Sequence, residues 1–239
     1  MDRCSKVKGL LAVLLVIVLA GCGTAASGNG VTPTVEPPVP AVVDWNAVYL
    51  DSYRAVYRIE SDDGGRGTAW LVRPGVLVTA AHVVRGVDVV TVRPSEEPAF
   101  SAVVTKMDEN RDLAVLEFEA HLTSARPLVI GVLTYPTDIA KGVLALGYSG
   151  NIGKRANGSV GSVPANYGII SQLIGETRQG KQIIMDAPID KGDSGGPVLN
   201  EYGRVIGVIR TTGVATGDNV NLGMFFATQA DEVEKLLAP

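Results

Sequence analysis

Hydrophobic positions fall into three regimes along the chain. Gly9 to Ala20 reads GLLAVLLVIVLA, an apolar run with no polar interruption. A stretch from Gly23 to about Val43 follows, rich in Gly, Pro, Ser and Thr and without periodicity. From about residue 53 the pattern becomes short runs rich in Val, Ile, Leu and Thr between turn residues, which predicts β-strands. The first set is AVYRIES, GTAWLV, GVLVTAA, VDVVTVR, FSAVVTKM and LAVLEFE. The second is GVLALGY, GIISQLI, QIIMDAP, PVLN, VIGVIRT and MFFATQ. Pro74-Gly75 separates two strands and predicts a hairpin turn, and further turn clusters fall at Tyr148–Asn151 and Glu201–Arg204. Only the tail TQADEVEKLL has helical spacing, with Val233, Leu236 and Leu237 on one face. No tandem repeat is visible. The periodicity by itself predicts an all-β sandwich or barrels.

Composition narrows this a little. A hydrophobic content of 46% against 19% charged residues allows a core and excludes global disorder. A net charge of −4 gives no footing for nucleic-acid binding.

The two N-terminal regimes read as an address and a tether. Arg3, Lys6 and Lys8 precede the apolar run, which is shorter than the roughly 20 residues a membrane span needs. This is the layout of a signal peptide over residues 1–21. Leu19-Ala20-Gly21-Cys22 resembles the bacterial lipobox, whose cysteine is lipidated and becomes the mature N-terminus. An ordinary signal peptide or an uncleaved anchor is the alternative. The chain has two cysteines, Cys4 and Cys22, and Cys4 would leave with the signal. Residues 22–45 would then form a flexible linker from a lipid on Cys22, holding an extracytoplasmic body at a membrane, with structure starting near Trp45.

The chemistry concentrates in three motifs. Gly192 to Asn200 reads GDSGGPVLN. A serine hydroxyl needs a base and a stabilised oxyanion to act as a nucleophile. Glycines around Ser194 let the backbone turn tightly with N–H groups converging, so the amides of Gly192 and Ser194 are the oxyanion-hole candidates. His82 ends an apolar run in TAAH. Imidazole is a natural general base because its unperturbed pKa is about 6.5. Asp112 opens the strand LAVLE and could orient that imidazole. Asp108 is its near rival, without the strand directly behind it. His121, in EAHLTSARP, reads as a surface residue.

GDSGGP, TAAH and the DLAVL-type aspartate together resemble the chymotrypsin-like (trypsin-like) serine proteases. MDAPIDKGDSGGPVLNEYGRVIGV looks most like the bacterial HtrA/Deg branch. The resemblance spans about residues 53–230 and keeps the order His82, Asp112, Ser194. It implies two six-stranded antiparallel β-barrels with a short C-terminal helix. Residues 46–130 would form the first barrel, carrying His82 and Asp112, and residues 131–239 the second, carrying Ser194. The implied activity is endopeptidase hydrolysis through an acyl-enzyme, with polypeptide substrates and neither cofactor nor metal. Only nine residues follow Ala230, so the PDZ domain of full-length HtrA proteins is not expected. The resemblance also implies that Pro188 sits at the base of the primary specificity pocket, where trypsin has an aspartate, and that Ile209, Arg210 and Thr211 form its wall. Small or medium apolar P1 residues follow from that. One departure stands out: the HtrA branch usually has Asn before the serine, whereas this chain has Asp193, which must find Lys191 or an arginine, or stay solvated. An inactive two-barrel module that binds peptides is the alternative function. The sequence does not speak to oligomeric state.

Overall fold

The computed structural model describes residues 42–150, 154–212 and 223–238. The signal-like segment, Cys22 and nearly all of the tether lie outside these residues. Among those described, no helix is long and apolar enough to cross a membrane.

Twelve strands form two closed antiparallel barrels. The first contains β1 (Val56–Glu60), β2 (Arg66–Arg73), β3 (Val76–Thr79), β4 (Val89–Arg93), β5 (Phe100–Asp108) and β6 (Leu113–Glu117). Its circular order is β1-β2-β3-β6-β5-β4. The second contains β7 (Gly142–Leu146), β8 (Ala165–Ile174), β9 (Gln182–Met185), β10 (Pro197–Leu199), β11 (Val205–Thr212) and β12 (Phe225–Gln229). Its order, β7-β8-β9-β12-β11-β10, repeats that of the first strand for strand. The fold is therefore doubled although no repeat is visible in the sequence. Each predicted run supplies one strand, because Val, Ile and Leu suit a pleated surface and turn residues interrupt each run.

Among the described residues, two α-helices accompany the barrels. The C-terminal α2 (Asp231–Leu237) was foreseen, with Val233 fully buried. The helix α1 (Trp45–Ser52) corrects the expectation that only the tail is helical. Asp44 caps it, its carboxylate accepting the Ala47 N–H at 3.0 Å. Although α1 precedes the first barrel, its aromatic side chains reach the second. Trp45 packs edge-on against Tyr167 at 5.2 Å, and the Tyr49 hydroxyl donates to the Val163 carbonyl at 2.9 Å. Eight residues give too little sequence for a helical period to stand out, and these contacts supply what propensity does not.

The barrels share a core. One buried cluster runs from Val56, Trp70 and Leu77 through Leu128 to Leu144, Leu146, Leu199 and Val205. A second cluster, around Ile183, Met185 and Ile209, fills the inside of the C-terminal barrel. The crossing segment is fastened at both ends. Leu128 N–H donates to Leu71 O, and Gly131 N–H donates to Val205 O, each at 2.8 Å.

Candidate active site

Three segments meet between the barrels: the residues after β3, the start of β6, and the loop before β10. His82 lies on a short 3₁₀ turn, Ala81–Val83, after β3. Its Nδ1 is 2.9 Å from Asp112 Oδ2, and its main-chain N–H donates to Asp112 Oδ1, also at 2.9 Å. Holding one carboxylate through both ring and backbone fixes the imidazole plane. Because Nδ1 faces the carboxylate, Nε2 is the ring nitrogen left for other work. Asp112 is buried, whereas the His82 side chain is 38% exposed, so the pair has one dry end and one open end.

Asp112 occupies the left-handed region, φ +55°. For an L-residue this conformation costs about 1–2 kcal/mol, with Asp among the few side chains that visit it. Asp108, its rival in the sequence, has a different task. Its carboxylate accepts the Arg111 N–H at 3.0 Å and pairs with the Arg111 guanidinium at 2.6 Å. Burial alone would raise the Asp108 carboxyl, but those contacts outweigh it and hold it below the usual carboxylate range.

The loop Lys191–Gly196 carries Ser194. Asp193 N–H donates to Asp190 O at 3.1 Å, closing a turn with Gly192 in the third position at φ +104°. That is type II geometry, which favours glycine at this place. The Lys191 carbonyl points to the 148–150 loop, where the Gly150 N–H reaches it at 3.3 Å. In a trans peptide the next N–H, that of Gly192, points the opposite way. Gly195 is required for another reason: a Cβ there would overlap Thr68 O and Thr79 Oγ1. This close approach seats the Ser194 loop against the end of β3, just before Ala81-His82.

Thr68, not singled out from the sequence, stitches the barrels together at this point. Its N–H donates to Ser194 O at 2.8 Å and its hydroxyl to Gly192 O at 2.7 Å. The same hydroxyl accepts from Tyr148 N–H at 2.9 Å. A threonine in an apolar strand announces none of this.

The Ser194 hydroxyl donates to the Arg210 carbonyl at 3.0 Å. Arg210 is the extra residue of a β-bulge, since Ile209 pairs with Ala227 and Thr211 with the adjacent Phe226. The bulge turns its side chain inward, and Nε lies 3.6 Å from Asp112 Oδ2. Arg210 thus touches both the serine and the aspartate. Its neighbour Ile209, the first residue of the expected pocket wall, lies at the root of the bulge. It is fully buried, and its N–H and C=O are both spent on Gly196 and Gly195. No backbone group remains on Ile209 for an added strand.

Pro188 is exposed, while Ala187 and Ile189 beside it are buried. Asp186 is turned to β8, accepting the Ile169 N–H at 2.6 Å, and Asp190 accepts the Lys191 N–H at 2.7 Å. Asp193 does not behave as expected: it is not solvated, and among the described residues it pairs with no cation. It is buried, with Oδ2 accepting the Asp190 N–H at 2.9 Å and Oδ1 making no geometrically complete hydrogen bond. Burial pushes its carboxyl above the usual range, and the Asp190 N–H and Ser149 offset only part of that rise. His121 is exposed, 3.6 Å from Glu119. Among the described residues, no cluster of three or more His, Cys, Asp or Glu could hold a metal.

The sequence model of the trypsin-like peptidase domain matches residues 67–208. Serine protease Rv3671c of Mycobacterium tuberculosis is 31% identical over 216 residues, covering 85% of this chain and 50% of the relative. The chloroplastic Protease Do-like 1 of Arabidopsis thaliana is 28% identical, covering 71% of this chain and 37% of the relative. The chain thus spans half or less of these curated relatives. A crystal structure of the Rv3671c protease, in an inactive form, superposes with a TM-score of 0.64 at 28% identity, covering 84% of this chain and 95% of that one. The HtrA-type protease AlgW, solved with a tripeptide, has a TM-score of 0.66 at 23% identity over 81% of this chain and 62% of that one, a likeness of fold.

Proposed function

Because the chain belongs to the trypsin-like peptidases, we propose that it is a serine endopeptidase with Ser194 as nucleophile, His82 as base and Asp112 as the group that orients the base. The observation that carries this reading is the two-point grip of His82 on Asp112, which frees Nε2 on the side open to the cleft. For attack, the Ser194 hydroxyl must leave the Arg210 carbonyl and turn about χ1 toward that nitrogen. The hydroxyl then loses its proton to Nε2 as Oγ bonds to the peptide carbon. The N–H groups of Gly192 and Ser194 receive the oxyanion, each such donor being worth about 2.7–4 kcal/mol. His82 returns the proton to the leaving amine, and water repeats the sequence on the acyl-enzyme.

Arg210 also supplies the backbone for substrate. Once Ser194 has turned away, its carbonyl can accept an N–H from an extended chain lying along β11. Pro188 brings no carboxylate to the pocket base, and Ile189 and Phe225 nearby are apolar and buried. Cleavage after small or medium apolar residues such as Val, Ala or Leu follows, and a peptide-library profile led by Arg or Lys would overturn it. Periplasmic relatives and the lipobox-like segment support an extracytoplasmic body tethered through lipid on Cys22. Cys22→Ala should then release the protein from the membrane fraction; unchanged partitioning would remove the anchor.

The test of activity is fluorophosphonate labelling of the full-length chain. Labelling lost in Ser194→Ala supports an activated serine. A folded wild type that does not label favours the second reading, a peptide-binding module held with its serine on the Arg210 carbonyl.

A further inference from the structure

The geometry points to a role for the C-terminal helix in the reaction: through Arg111, Glu232 of α2 is a positioning residue for Asp112. This rests on the reading of Asp112 as the orienter of His82.

Arg111 directly precedes the left-handed Asp112 and is held at every polar group named here. Its N–H donates to Asp108 Oδ1 at 3.0 Å, and its carbonyl accepts from Thr228 Oγ1 at 2.7 Å. Its guanidinium reaches Asp108 Oδ2 through Nη1 at 2.6 Å and Glu232 Oε2 through Nε at 2.7 Å. The carbonyl bond matters most for direction. It fixes the peptide plane that enters Asp112, and with it the unusual φ from which the Asp112 side chain reaches His82.

Glu232 is fully buried, and one of its two carboxylate oxygens serves this junction. Oε2 takes Arg111, while Oε1 takes Lys235 Nζ at 2.9 Å and faces the Lys181 N–H at 3.4 Å. Burial alone would raise its carboxyl, but Lys235, Arg111 and the Lys181 amide outweigh that and keep it below the usual range. An apolar residue would seal a seven-residue helix without that desolvation. A buried carboxylate aimed at the residue next to Asp112 does something a seal does not: it sets an angle.

Helix α2 bridges the two barrels. It leaves β12 of the second barrel, yet Lys106 of β5 in the first donates to the carbonyls of Leu236 at 3.3 Å and Ala238 at 2.8 Å. Thr228, on the strand leading into α2, belongs to the same brace.

The experiment compares full-length wild type, Glu232→Gln and Val233→Ala. Val233 is buried on the same helix and makes none of these polar contacts. Three readouts are taken where all are folded by near-UV circular dichroism: fluorophosphonate labelling rate, kcat and KM on a peptide substrate, and the low-field proton resonance of His82 Nδ1–H. We expect Glu232→Gln to lower the labelling rate and kcat about 10- to 100-fold with KM nearly unchanged, the scale of a misplaced catalytic group. Its Nδ1–H resonance should shift or broaden. Val233→Ala should lose thermal stability and keep all three. If Glu232→Gln does not fold, Arg111→Lys, which keeps the charge and loses the two-sided fork, takes its place. Wild-type rates and resonance in the polar variant would overturn the proposal, as would equal losses in Val233→Ala. If the wild type itself does not label, the peptidase reading fails, while the resonance still decides whether Glu232 positions Asp112.

Discussion

Asp193 carries a carboxylate into a buried site where no described residue offers it a cation. Gly147 packs against it, so close that a Cβ there would overlap its side chain, and one oxygen lacks a complete hydrogen bond. Its carboxyl is raised, chiefly by burial, so folding favours the protonated form. The sign follows: its contribution to stability is greatest below the unfolded carboxylate value of about 3.9 and is lost as pH rises through the raised folded value. Asp193→Asn should therefore melt higher than wild type at pH 7.5, with the gap closing toward pH 4. A constant gap across that range would mean that burial of the charge is not its cause. Asp112 gives a prediction of a different kind. Asp112→Asn keeps the side-chain shape but sets the wrong imidazole tautomer. It should fold normally and lower kcat by something on the order of 10⁴. Near-wild-type turnover would remove Asp112 from the mechanism. The type of each residue was legible in its motif, whereas the surroundings of Asp193 were not, since Gly147 and Ser149 are distant in sequence.

At the scale of elements, short irregularities place the chemistry. The two-residue turn Pro74-Gly75 joins β2 to β3, with Arg73 paired to Val76, and so aims β3 at His82. Gly75 has φ +76°, and a Cβ there would sit 2.8 Å from the Phe118 carbonyl. Gly75→Ala should cost at least about 1–2 kcal/mol from the backbone alone. In a denaturant titration it should lower the midpoint and leave the slope unchanged. An unmoved midpoint would show that the turn tolerates the side chain. The Pro-Gly pair announced this turn in the sequence. Nothing announced the bulge at Arg210, because an extra residue in one strand is defined only by what it lies opposite. The helix α1 escaped for a related reason, being fixed by Trp45 and Tyr49 against Tyr167 and Val163 of the second barrel.

The described body is one strand order used twice, with the candidate site at the junction. Doubling without visible sequence repetition is understandable: a barrel interior asks only for apolar side chains of fitting volume at alternate positions. The junction is sealed by the cluster from Trp70 to Leu146 and by Thr68, whose hydroxyl touches the Ser194 loop and Tyr148 together. Neither barrel can open without exposing that shared core. The described body should accordingly unfold in a single calorimetric transition, with calorimetric and van't Hoff enthalpies in agreement. Two resolved transitions would show that the barrels are independent and the junction weak.

Strands, hairpin turns and the identity of the three motif residues were determined by the sequence alone, because each depends on near neighbours. Alternation makes a strand, Pro-Gly makes a turn, and glycines on both sides of Ser194 allow a backbone no other residue permits. Tertiary structure decided what those residues meet. It sent the Ser194 hydroxyl to Arg210, buried Asp193 on the Asp190 N–H, and set Thr68 against Gly192, 124 residues away. It also joined Arg111 to Glu232 across 121 residues. Contacts of that kind have no period and no local propensity. They exist only once two closed barrels bring their edges together, so no local pattern in the chain records them.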